Sequence, residues 1–366
     1  MKKALTYFII ALVFSVTSFA VMANDHKEES QEEKEFDVSE MIMHHVKDAH
    51  EWHLWGPEHG GTSIYLPVIL KTNEGIETFS SSHLYHGELV HIGENHYYKG
   101  TGPAEGFAMF HEKIYELDEH GMLHFEDGHV HGNVKPMDFS ITKNVTSLFI
   151  GSFLVFILMF SCARFYKKNG AVAPRGIAKF LEPLILFVQD DIAKANINEK
   201  KYKKFVPFLL TVFFFIWINN LLGLIPIFPG SANLTGNISV TFFLACLTLI
   251  IILVNGNKNY WGHIFAPPGV PKALLPIMIP IEIVGIFTKP FALMIRLFAN
   301  ITAGHIIILA LISIIFINKN VAWGALSVPM ALFISVLELL VAALQAYLFA
   351  MLSALFIGAA VEEAHH

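Results

Sequence analysis

The feature that most constrains this chain is a run of 72 residues, Pro290 to Val361, whose apolar character is almost unbroken. Apart from Tyr347, side-chain charge can reside at only four places in it: Arg296, His305, Lys319 and Glu338. Lys319 sits in Asn318-Lys319-Asn320, a polar break that reads as a turn. The other three lie in segments fit to be buried in lipid, where an ionisable group costs roughly 2.5–3.5 kcal/mol on insertion scales. A cost of that size marks them as candidate functional residues.

The same apolar signature recurs upstream. The chain is 54% hydrophobic with a mean hydropathy of +0.51, which places it among polytopic membrane proteins. Its net charge of −6 is segregated: 23 of 31 acidic residues and 15 of 19 histidines fall between Asn24 and Ser140. An acidic soluble segment therefore precedes a charge-poor, slightly basic membrane segment. Cys162 and Cys246 both lie in apolar runs, so the acidic segment has no disulfide framework and no cysteine-based metal site. Both cysteines read as small packing residues.

Met1 to Ala23 has the form of a secretory signal peptide: Lys2 and Lys3, an apolar core from Ala4 to Phe19, then Val21-Met22-Ala23. Residues 24–143 are then extracytoplasmic. Residues 25–40 form a solvated, disordered acidic run. From Trp52 onward strands are expected at Ser63–Leu70, Glu88–Ile92, Lys113–Leu117 and Met122–Phe125, with Asp118-Glu119-His120-Gly121 as a turn. His44, His45, His83, His86, His129 and His131 invite a metal reading, with Glu126-Asp127-Gly128-His129-Val130-His131 the densest cluster. No recognised ligand spacing spans the set, so these histidines read as a solvated surface that buffers near neutral pH, and no metal or other cofactor is expected.

Residues 144–366 form the membrane part. Val145–Phe165 is a first span, and Arg164, Lys167, Lys168, Arg175 and Lys179 place its exit in the cytoplasm. Gly176–Ile197 reads as an amphipathic helix on the inner interface. Phe205–Ile227 and Ile238–Val254 are the next spans, followed by an irregular inner loop at Ala266–Pro271. Ala273–Ile317 and Ser327–Ala360 are each too long for an upright crossing of a hydrocarbon core of about 30 Å. Pro276, Pro280 and Pro290 can kink the first of them. Ala292, Ala299 and Ala303 give that helix a small-residue side suited to a rounded partner. The expected fold is mainly α: a polytopic membrane protein with two long, strongly tilted C-terminal helices, an interfacial amphipathic helix and a small N-terminal β-rich extracytoplasmic domain.

Counting along those two helices pairs their polar residues. If they form a hairpin turning near residue 321, Arg296 lies 25 residues before that point and Gln345 24 after it. His305 lies 16 before and Glu338 17 after. Two layers result, about 10–13 Å apart. Histidine exchanges protons near neutral pH and a carboxyl group beside it can share that exchange. Arginine stays cationic. The outer layer can thus pass a proton, and the deeper layer presents a fixed charge. His305 falls about 180° from Arg296 on an ideal helix, so the two do not share one stripe.

Arg296-Leu297-Phe298-Ala299-Asn300-Ile301-Thr302-Ala303-Gly304-His305, together with Glu338-Leu339-Leu340-Val341-Ala342-Ala343-Leu344-Gln345-Ala346-Tyr347, closely resembles subunit a of F-type ATP synthases. The resemblance extends to Asn219-Asn220-Leu221-Leu222-Gly223-Leu224-Ile225-Pro226 and to Asn233–Thr241, and covers Val145 to the end; residues 24–140 are an addition. It implies that Arg296 faces the carboxylate of a rotating c-ring, keeps it ionised and blocks leakage between two offset half-channels. It implies that Asn300, His305, Glu338 and Gln345 line the outer half-channel and that Glu282 belongs to the inner one. The implied partners are the c-ring, the stator subunit b, the other ATP synthase subunits and the lipid membrane, with no nucleic acid. Many bacterial members carry Glu in place of His305 and His in place of Glu338; here the pair is exchanged, as in mitochondrial members. The signal sequence and the outer segment still point to a bacterial inner membrane, with the C-terminus cytoplasmic. The chain has no GxxxxGK[ST] loop, so it is expected to be non-catalytic. The competing reading is a stand-alone ion or zinc transporter fed by the His-rich segment. That reading calls for ligand clusters within the helices and repeat symmetry, whereas the sequence offers one intramembrane His-Glu pair and no evident repeat.

Overall fold

A computed structural model describes residues 42, 47–55, 62–93, 95–126, 128–170, 172–225, 228, 230, 232–265, 271 and 274–362. The signal segment 1–23, the acidic run 25–40, His44, His45, Asp127 and most of the 266–271 loop lie outside the described residues.

The N-terminal part is β-rich. Its strands are β1 Glu51–Trp55, β2 Thr62–Tyr65, β3 Pro67–Lys71, β4 Ile76–Ser80, β5 Glu88–Ile92, β6 Asn95–Lys99, β7 Phe107–Phe110, β8 Lys113–Glu116, β9 Phe125–Glu126, β10 His129–Val130 and β11 Met137–Asp138. β5 to β8 form an antiparallel meander, β3 pairs with β4 and β11, and β1 and β9 pair with β2 and β10. Alternation drives the folding of β3: Val68 and Leu70 are buried against Phe79, Phe107, Met109 and Ile114. The strand expected at Ser63–Leu70 is divided at Leu66 into β2 and β3, because the chain changes partner there: the Leu66 N–H donates to the His50 carbonyl just before β1, and the Leu66 carbonyl accepts the Ser81 N–H just after β4. Regular strand is confined to Phe125–Glu126 in place of Met122–Phe125. The Asp118 carboxylate accepts the N–H groups of His120 (3.0 Å) and Met122 (2.7 Å) and holds the chain in a turn. The β7–β8 hairpin turns on His111 and Glu112 with φ of 49° and 62°. Two successive non-glycine residues in that region cost about 1–2 kcal/mol each.

Among the described residues five helices are long and apolar enough to cross a membrane. They are α1 Lys143–Asn169, α3 Tyr202–Leu224, α4 Ile238–Asn255, α6 Leu275–Ile317 and α7 Gly324–Val361; α2 is Ile177–Leu186 and α5 is Lys258–Phe265. α1 starts two residues before the expected Val145 because Thr142 Oγ1 caps it, accepting from the Val145 N–H. The segment expected as one amphipathic helix is α2 followed by a π-helical stretch, Phe187–Lys194, whose Val188, Ile192 and Ala193 are buried. α6 continues unbroken through Pro280 and Pro290. Its 43 residues reach about 65 Å, twice the hydrocarbon thickness, so it can cross only obliquely.

α7 begins at Gly324 rather than Ser327, because Asn320 Oδ1 accepts the Ala322 N–H (2.9 Å) and starts the turn early. On its inner face Ala342, Ala346, Ala350 and Ala354 recur every fourth residue, all fully buried. Such a stripe lets α3 approach closely. The far end of α7 is pinned. Asn257 donates from its backbone to Ala360 O (2.9 Å) and from Nδ2 to Val361 O (2.8 Å), and Lys201 Nζ donates to Val361 O (3.2 Å). Gly358 leaves room for the Asn196 carbonyl, which any side chain would strike.

Candidate functional site

α6 and α7 run antiparallel on either side of the 318–323 turn, and their facing surfaces hold the site. His305 Nδ1 stands 3.6 Å from Glu338 Oε1, an ion-pair distance slightly beyond a hydrogen bond; their side chains are 21% and 2% exposed. One glycine, Gly304, makes the approach possible, and a second, Gly223, lies beside it. A methyl group on Gly304 would stand 2.7 Å from Glu338 Oε1, and one on Gly223 would stand 3.9 Å from His305 Nε2 and 3.2 Å from the Ala232 carbonyl. Among the described residues neither Glu338 oxygen accepts a hydrogen bond. A buried carboxylate with no donors gains from a proton or a neighbouring imidazolium, so the pair can hold one proton between them.

Arg296 is half-buried one level deeper on α6 and makes no hydrogen bond or ion pair among the described residues. It lies in a stripe of Ala292, Ala299, Asn300 and Ala303, at i−4, i+3, i+4 and i+7, and all four are exposed. Gln345 is buried on α7, and no hydrogen bond joins it to Arg296 among the described residues. Glu282 is half-buried near the start of α6, where its charge reaches Tyr260 of α5. The structure thus brings His305 and Glu338 together and leaves Arg296 presented outward from the chain's own packing.

Sequence reasoning did not single out the scaffold around this pair. Buried Asn220 donates to the Ala342 carbonyl (3.3 Å), one turn beyond Glu338, and accepts from Thr235 Oγ1, tying α3, α7 and the loop before α4 together. Asn219 packs against Gly151 of α1, where a side chain would collide with its amide. The signal was present as polar residues at apolar depth within the quoted Asn219-Asn220 and Asn233–Thr241 stretches.

The β-rich part meets the helices at the end that carries His305. Trp52, 1% exposed, sets its ring edge-on to Phe228 of the α3–α4 loop at 5.2 Å. Beside it is a buried ionic cluster. His50 Nε2 is 3.2 Å from Asp138 Oδ2, and Nδ1 is 3.9 Å from Glu112 Oε2, which also accepts from Tyr85 Oη (2.6 Å). Burial opposes the charged ring, but the hydrogen bond to Asp138 and the negative charges of Asp138 and Glu112 outweigh it and raise His50 to about 9. Burial likewise opposes the Asp138 charge, and the His50 and Ser140 bonds overcome it, to about 2. A histidine raised in this way stabilises the fold fully below its unfolded value of 6.5 and loses that contribution as pH rises through about 9. The melting temperature of the detergent-solubilised chain is expected to fall over that interval, and His50→Gln to flatten the fall. Equal slopes in both proteins would count against the pairing. Among the described residues no three His, Cys, Asp or Glu side chains converge as a metal site; His131 instead faces Glu126 at 3.6 Å on the exposed surface.

A family profile described as ATP synthase A chain matches residues 145–358, and a domain of unknown function matches residues 41–139. The ATP synthase subunit a of Chloroherpeton thalassium is 43% identical over 258 residues, covering 69% of this chain and 74% of that protein. That of Chlorobium phaeobacteroides is 39% identical over 326 residues, covering 83% and 92%. The ATP synthase subunit a 2 of Prosthecochloris aestuarii is 43% identical over 315 residues, covering 83% and 93%. The latter two matches are too long for the helical part alone and extend into the β-rich segment.

Proposed function

The chain belongs to the ATP synthase A chain family, and from this membership we infer that it is the stator subunit a of an F-type ATP synthase, a multi-pass membrane protein working with the other subunits of that complex. The stand-alone transporter reading is not favoured.

The finer roles rest on the site. The observation that carries them is a guanidinium with no hydrogen-bond or ion-pair partner among the described residues, set in an exposed stripe of small residues on a helix at apolar depth. Such a charge needs a counter-charge from elsewhere. A carboxylate on a c-ring turning against the Ala292, Ala299, Ala303 stripe supplies it. Arg296 then keeps the passing carboxylate ionised and separates two half-channels. His305 and Glu338, with Asn300 and Gln345, carry protons to the ring from the β-rich side, and Glu282 marks the opposite exit. The β-rich segment is periplasmic, the C-terminus cytoplasmic, subunit b braces the stator, and the chain itself performs no ATP chemistry.

Two measurements test this. Purified from membranes, the chain should bring with it a rotor ring and nucleotide-binding subunits; ion transport by the isolated chain in liposomes would oppose the assignment. The reciprocal exchange His305→Glu with Glu338→His should retain more proton-driven synthesis than either single change. Equal loss in all three would count against a shared-proton pair.

A further inference from the structure

One face of the β11–β3–β4 sheet is apolar, exposed and joined to the first membrane helix. The inner face of β3 carries Val68 and Leu70 into the core, so alternation turns Ile69 and Lys71 outward. Lys71 stands between Ile76 of β4 and Met137 of β11. In the next row Ile69 pairs with Thr78, and its carbonyl accepts the Phe139 N–H (2.9 Å). Ile76, Met137 and Phe139 are 71%, 64% and 62% exposed. These two rows hold no acid, although 23 of the 31 acidic residues fall between Asn24 and Ser140. Glu77 and Asp138 of the same strands both pair with Leu70, on the other face. The one charge on the outward face is the Lys71 ammonium. The rows lead to the membrane: the Ile141 N–H donates to the Pro67 carbonyl (3.1 Å), and Thr142 caps α1. Phe139 is thus at most about 10 Å of chain from that cap. The 27 residues of α1 rise about 40 Å, which overruns a hydrocarbon core of about 30 Å, so the ends of α1 reach the headgroup layers.

We propose that this face seats the β-rich segment on the lipid surface, with Phe139, Met137 and Ile76 in the headgroup layer. The seat is independent of the channel roles of the helices and rests only on α1 being a membrane span. A contiguous apolar patch on a sheet marks a site of interaction with protein or membrane. Connection and charge select lipid as the occupant. The patch is tethered within reach of the headgroups, its one charge is a cation on a long apolar stem, and the acids of its strands are turned away. Together with the contact of Trp52 on Phe228, the seat gives the β-rich segment, whose family has no assigned function, a second hold beside the helix ends.

The test is spin labelling of the purified complex in liposomes of phosphatidylethanolamine and phosphatidylglycerol. Ile76→Cys, Met137→Cys and Phe139→Cys are labelled one at a time in a Cys162→Ala, Cys246→Ala background, with Glu119→Cys in an exposed turn as the reference. At the three patch positions collisions with dissolved oxygen should rise, and collisions with a water-soluble nickel chelate should fall severalfold, relative to Glu119→Cys. Nickel collisions as frequent as at the reference would overturn the proposal. So would exclusion of both reagents, which is the mark of a protein partner or a second copy of this chain. The three side chains are exposed, so their exchange leaves the core intact. Should a label on β11 prevent assembly, Ile76→Cys on β4 decides by the same criterion.

Discussion

Replacing Arg296 with alanine is expected to reduce proton-driven ATP synthesis by roughly 100-fold or more, while the chain still inserts and assembles. Assembly should survive because Arg296 makes no hydrogen bond or ion pair within the described chain. Its removal also relieves the roughly 2.5–3.5 kcal/mol cost of a charge at bilayer depth. Function should fail because the charge acts on the rotor. A carboxylate about 4 Å from a guanidinium, at an effective dielectric of about 20, gains about 4 kcal/mol in its ionised form. That is about three pKa units. Without it the carboxylate keeps its proton, and the two half-channels have no fixed charge between them. Arg296→Lys should recover little, since a desolvated lysine can lose its proton and lacks the planar fork. Synthesis and ATP-driven acidification in inverted vesicles, with assembly scored by co-purification, check this; normal coupling in the alanine variant would sink the mechanism.

The second large effect is expected at Gly304. An alanine there places a methyl group 2.7 Å from Glu338 Oε1 and 2.8 Å from its carboxyl carbon. The backbones of two packed helices cannot part by a methyl radius without loss, so the carboxylate must swing away from His305. Overpacking of this kind costs about 1–3 kcal/mol. If it falls on the conducting geometry, coupled synthesis drops roughly tenfold or more. Shortening the acid should recover part of the loss: Gly304→Ala with Glu338→Asp should conduct better than the product of the single effects. Strict additivity, or a Gly304→Ala enzyme with an undiminished rate, would mean that the close approach does not matter.

Depth in the membrane was legible in the sequence, and angle was not. Apolar runs and the polar break at Asn318–Asn320 marked the spans, because each residue advances a helix by a fixed rise. Counting from residue 321 put His305 level with Glu338, and the structure brings them to 3.6 Å. Rotation about the helix axis depends on which neighbour each face meets, and that is decided by distant residues. Gly304 and Gly223 look like ordinary small residues until the groups pressed against them are known. The start of the first membrane helix is fixed from afar, since Asp48, whose carboxylate accepts the Asn144 N–H, lies 96 positions before it in the chain. In the β-rich part, the chain changes partner strand at Leu66, from β1 to β4, which no local pattern announces.

The anchoring of Val361 and Ala360 by Asn257 and Lys201 has a mechanical consequence. On the proposed reading, a rotor sweeping past the exposed side of α6 would drag sideways on α6 and, through it, on α7. A rod clamped at one end deflects far more under a given load than one clamped at both. α7 is tethered through the 318–323 turn at one end and through the Asn257 and Lys201 bonds at the other. The hairpin is thereby stiffened against sideways load, and on the proposed reading Arg296 would hold its station while the ring turns.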